Sequence, residues 1–176
     1  KAFSPLNEWA QFASGATNYS AQLGWRQGLP EFALQTQLEG LALKLPAPLG
    51  KTANTSLSVS ARTRVQGSGS GLRDQLQLDW GSVASALYVR DLSGAEPVVL
   101  RGSLTLGLPA SQAPALPATG VTAAVALDRF SLEDWQSLLP ADLGAASQKA
   151  TSKTAWTAYS PTRIGLQANT LTADGR

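Results

Sequence analysis

From Tyr19 onward, apolar and polar side chains alternate with period two, which predicts strands that bury one face. Tyr19, Ala21, Leu23 and Trp25 alternate with Ser20, Gln22, Gly24 and Arg26. Across Gln27-Gly28-Leu29-Pro30, Phe32, Leu34, Thr36 and Leu38 alternate with Ala33, Gln35, Gln37 and Glu39, so the two runs predict a hairpin. The period returns over residues 57–65, 76–80, 98–106 and 121–127, and starts once more at 164–168. In 83–90 both sets are apolar (Val83, Leu87, Val89 and Ala84, Ala86, Tyr88), which predicts a strand covered on both sides.

Two short segments carry helix signals instead. Ser4 as N-cap, Pro5 at the first helical position, Glu8 in the first turn and Gly15 as a stop predict a helix near 4–13. Ser131 as N-cap, with Asp134 three residues on and Phe130 placed to meet Trp135, predicts a second near 131–139, ended by Pro140. Residues 141–161, mostly Ala, Ser, Thr and Lys, read as a linker or irregular segment. Residues 162–176 read as the start of a further strand pair, because Asp174-Gly175 is a hairpin turn with no second strand after it. The expectation is an excised piece of a longer chain whose first unit spans 1–140.

Residues 40–51, Gly-Leu-Ala-Leu-Lys-Leu-Pro-Ala-Pro-Leu-Gly-Lys, fit neither period. Pro46 and Pro48 remove two backbone donors and end the alternation begun by Leu41, Leu43 and Leu45. So apolar and rigid a segment predicts a plug against a sheet, with Leu43, Leu45 and Leu49 as its contacts.

Composition narrows the chemistry. The 176 residues contain no Cys and no His, which removes thiol chemistry, the commonest general base and the commonest zinc ligand. The 14 Lys and Arg against 12 Asp and Glu are scattered without a run, so the charge gives no sign of a nucleic-acid partner. Close acidic pairs are explained without catalysis. Glu133 and Asp134 complement the start of a helix, and Asp74 and Asp79 lie on or near the polar face of a strand. Gly67-Ser68-Gly69-Ser70-Gly71 lacks the Lys-Ser/Thr and the helix of a phosphate loop and reads as a hairpin turn. Arg62 and Arg64 share a strand face and read as solvated. No cofactor, no metal and no enzymatic activity are expected.

Several stretches together resemble one family. They are Trp9…Ser14-Gly15 leading to Tyr19-Ser20-Ala21-Gln22-Leu23, the 40–51 segment, Arg101-Gly102-Ser103-Leu104, and Leu116-Pro117 through Gly120-Val121 to Leu127…Trp135. In this order they resemble the YhdP family of AsmA-like, TamB-like proteins. The resemblance implies a large bridge of the Gram-negative envelope, anchored in the inner membrane by a helix outside this sequence, with this chain an internal periplasmic piece. It implies a partner in phospholipid acyl chains, moved toward the outer membrane along an apolar β-groove, and contact with neighbouring β-repeats of the same chain.

The expected fold is therefore all-β with two short helices, a curved and twisted antiparallel sheet with an apolar concave face. The residues expected to line a lipid groove are Leu23, Trp25, Leu34, Leu38, Leu57, Val59, Leu76, Leu78, Leu100, Leu104 and Val125. A structural or protein-binding β-scaffold is the alternative, since a closed sandwich core shows the same alternation.

Overall fold

The computed structural model describes residues 11–67, 71–136 and 158–172. Its main body is one open, curved sheet of eight strands in the order β10-β9-β8-β7-β6-β5-β3-β2. Tyr19–Arg26 (β2) and Leu29–Thr36 (β3) form the expected hairpin. Its turn is tighter than the sequence suggests: Gln27 and Gly28 alone make it, with φ of 52° and 78°. This is the two-positive-φ geometry that matches strand twist. Pro30 consequently stands inside β3, opposite Trp25. Its missing N–H is harmless there, because the ladder from β3 to Val59–Gln66 (β5) covers only Ala33 to Thr36. Below that point side chains replace the ladder. The Phe32 amide donates to Thr63 Oγ1 at 2.9 Å and the Val65 amide to Glu31 Oε1 at 2.7 Å.

Arg73–Trp80 (β6), Ala84–Asp91 (β7) and Val98–Leu106 (β8) continue as an antiparallel meander. The expectation of an antiparallel sheet fails beyond β8. Gly120–Ser131 (β9) pairs parallel with β8, and Arg163–Thr172 (β10) pairs parallel with β9. The cause lies in the connections. Parallel neighbours need a crossover of about a dozen residues or more, and the 107–119 loop has that length. It runs over the polar face of the sheet, where Ser103 Oγ donates to the carbonyl of Pro114 at 2.9 Å.

The 40–51 segment begins as a short strand, Leu41–Leu43 (β4), paired with Ala13–Gly15 (β1). The helix expected near 4–13 falls mostly outside the described residues, and β1 shows that it does not reach Ala13. The second predicted helix is present as Leu132–Gln136 (α1). Asp134 N–H donates to Ser131 Oγ, and Phe130 stacks on Trp135 at 6.1 Å, so the cap and the staple both form. The rest of that helix and most of the 141–161 linker lie outside the described residues, as do residues 173–176.

Candidate functional site

Residues paired across neighbouring strands point to the same side of a sheet, so the register defines its two faces. One cross-strand row runs Ala21–Leu34–Ala61–Leu78 over β2, β3, β5 and β6. It continues Ala86–Leu104–Ala123–Ile164 over β7, β8, β9 and β10. No polar atom of a side chain interrupts it. At the usual spacing between strands it is roughly 34 Å long. A second row beside it carries Val59, Trp80, Ala84, Leu106, Val125 and Leu166, with Tyr19 and Thr36 at one end.

Of the expected lining residues, Leu23, Trp25, Leu34, Val59, Leu76, Leu78, Leu104 and Val125 share this face. The other three do not lie on regular strand positions. Leu38 lies past the end of β3 with φ of 48°, and it is buried beside the 40–51 segment. Leu57 precedes β5 and approaches the turn at Gly81. Leu100 is displaced by a bulge, because Val89 pairs with Arg101 while Arg90 pairs with Val99, leaving Leu100 without a partner. Val99 instead packs on the core. Phe32, Tyr88, Val121 and the row of alanines share this face too, although the expected lining did not include them.

Exposure along this face is uneven. On the β2 side Leu23 and Trp25 are 67% and 70% exposed, and on the β10 side Ile164 is 54% exposed. Between them Leu76, Ala86, Tyr88 and Val121 are buried, with Val99, Leu104 and Tyr159 packed against them. Gly102 makes this possible. The Tyr88 ring lies where a Cβ would be, with Cδ1 at 2.5 Å.

A charged pair sits at the rim of the same face. Arg90 and Asp74 are register partners, and the guanidinium donates to the carboxylate through Nε at 2.8 Å and through Nη2. Both side chains are largely buried, at 13% and 5% exposure. Arg90 Nη1 also donates to Tyr159 Oη at 3.1 Å, and Tyr88 Oη donates to the Tyr159 carbonyl at 3.1 Å. The two tyrosine rings meet edge to face at 5.1 Å. Burial, with Tyr159 adding to it, pushes the Tyr88 hydroxyl up to about 12. Burial works against the charge on Arg90, but hydrogen bonds to Asp74 and Tyr159 outweigh it and hold its pKa above the ordinary value. Phe32, Thr63, Leu92 and Pro97 enclose a cavity of about 240 Å³ over this pair.

At the opposite end of the strands lies the 40–51 segment. Leu43, Leu45 and Leu49 are half-buried. Lys51 holds the segment closed by donating from Nζ to the carbonyls of Leu38 and Leu41. Ala47 and Pro48 border a cleft of about 540 Å³ with Val83, Gly107, Leu127 and Arg129, so the segment lies across the end of the sheet. Among the described residues no cluster of acidic side chains could hold a metal, and no helix is long and apolar enough to cross a membrane.

A family model described as YhdP protein matches residues 1–176, the whole chain. No curated protein and no solved structure matches it.

Proposed function

The chain belongs to the YhdP family, and from that premise we propose that it is a lipid-conducting segment of a periplasmic bridge tethered to the inner membrane. In this reading phospholipid passes between the inner and outer membranes with its acyl chains on the apolar face, and the segment carries out no catalysis. The observation that supports it is the Ala21-to-Ile164 row, which crosses all eight strands without a polar side chain and is exposed toward both edges. A monomeric sheet does not leave Leu23, Trp25 and Phe32 in water without penalty. Burial of acyl methylenes, at about 0.8 kcal/mol each, provides the affinity.

The test is lipid flux through the intact protein carrying Leu34→Asp or Val59→Asp, with native mass spectrometry for bound phospholipid. Loss of flux and of co-purifying lipid in a folded variant is the expected outcome. Normal flux in both variants refutes the reading. A second reading, a β-scaffold without a lipid site, is favoured by β2, which is an edge strand exposed at every residue. Such an edge is a template for strand addition by a neighbouring repeat or a partner. A lipid-free mass for the native protein supports that reading instead.

A further inference from the structure

Polar contacts are out of place on an apolar face unless they hold something there. Here they converge on one short segment, residues 158–162, which leads into β10. Tyr159 receives a hydrogen bond at its hydroxyl from Arg90 and another at its carbonyl from Tyr88. Three residues on, where the pairing of β10 with β9 begins, Thr162 anchors the end of the segment in the plane of the sheet, donating to the Val121 carbonyl through its amide, at 2.8 Å, and its Oγ1, at 3.0 Å. Arg90 is in turn aligned by the bidentate grip of Asp74, which leaves Nη1 free to reach Tyr159. The segment lies over Tyr88 and Val121, where the apolar face is buried, and the face is exposed on either side of it, at Leu23, Trp25 and Leu78 and again at Ile164 and Leu166.

We infer that residues 158–162 form a strap latched across the apolar face by Arg90 and Tyr88, which separates two lipid-accessible stretches and must loosen for a chain to pass between them along the Leu104 position. This rests on the lipid-conduit reading for its consequence but not for its mechanics. A purely apolar strap would be displaced by an acyl chain of equal hydrophobicity, since burial is non-directional. The charged hydrogen bond makes the closed state specific, and its loss is costly because Arg90 stays buried with one donor unmet.

Two measurements on the intact protein test it. Hydrogen exchange reads the latch without lipid. In Tyr159→Phe, which keeps the ring and the backbone carbonyl, the Thr162 amide exchanges faster, on the order of tenfold, while amides pairing β5 with β6 are unchanged. Tyr88→Phe gives a rise on the order of fivefold. Unchanged Thr162 exchange in both variants overturns the latch whatever the lipid does. The second measurement places a photo-crosslinking amino acid at Leu78, Leu104 or Ile164 and adds vesicles of phosphatidylethanolamine and phosphatidylglycerol. Lipid adducts at 78 and 164 but not 104, with 104 gaining adducts in Tyr159→Phe, support the strap as a barrier. Equal labelling at 104 in the native protein overturns the barrier while leaving the conduit standing. No labelling at any position overturns the conduit and the barrier with it, and the exchange data then decide the latch alone.

Discussion

On the lipid-conduit reading, Leu78→Asp should lower lipid binding while leaving the sheet folded. Leu78 stands mid-row between Ala61 and Ala86 and is 37% exposed. Full burial of a leucine stabilises by about 1.5–3 kcal/mol, so the part covered here contributes about 1–2 kcal/mol. The aspartate keeps access to water through the exposed side, which spares it the several kcal/mol of a fully buried charge. The expected loss of stability is therefore about 2 kcal/mol, a fall in Tm of roughly 4–8 °C for a chain of this size. Lipid faces a different cost. An acyl chain crossing the row would strip that water from the carboxylate, at several kcal/mol, and each 1.4 kcal/mol is about tenfold in occupancy. Lipid occupancy should drop more than about a hundredfold in a protein that still melts cooperatively. Leu78→Ala is the control, with a similar loss of Tm but only about tenfold weaker lipid retention. Thermal melting by circular dichroism and native mass spectrometry read the two quantities on one sample. A folded Leu78→Asp protein with its normal complement of lipid refutes the reasoning.

Two further predictions concern the scaffold beneath. Gly102→Ala places a methyl 2.5 Å from Tyr88 Cδ1, on a ring that its own hydroxyl bond holds in place. It should cost about 1–3 kcal/mol in denaturant unfolding, partly restored by adding Tyr88→Leu. Glu31 accepts the Val65 amide, and that bond, opposed by burial and assisted by Arg26, lowers its pKa below 4.5. A carboxylate depressed in the folded state stabilises above its unfolded pKa and loses that contribution as pH falls through the lowered one. The native protein should thus lose Tm on acidification below pH 4.5 more steeply than Glu31→Gln, and identical acid limbs would refute the assignment.

The eight strands of the main sheet and the facing of most of them were legible because period-two alternation is a local property, whereas the small β1–β4 pair was not. Tyr19 to Trp25 and Leu76 to Trp80 needed no tertiary information to be placed on one side. Topology was less legible. Nothing in the apolar pattern of Val121 to Leu127 tells whether its neighbour runs parallel or antiparallel, and only the length of the preceding loop hints at it. The bulge at Leu100 was invisible for another reason. It depends on the partner strand at Val89 and Arg90, and a one-residue shift exchanges the faces of everything beyond it. The latch was hidden as well, since Asp74 and Arg90 are sixteen positions apart and Tyr159 lies in a stretch without periodicity.

The alternation of Ala and Leu across the strands has a consequence for motion. Alanine stands on β2, β5, β7 and β9, and leucine or isoleucine on the strands between them, so the surface repeats every second strand. A hydrocarbon chain displaced by one such repeat, about 10 Å, meets the same corrugation again. Where the face is exposed, contact energy on such a periodic surface varies only by the height of its ripples. On either side of the strap, a hydrocarbon chain would meet no single preferred resting place on such a surface, as on a rail and unlike in a storage pocket.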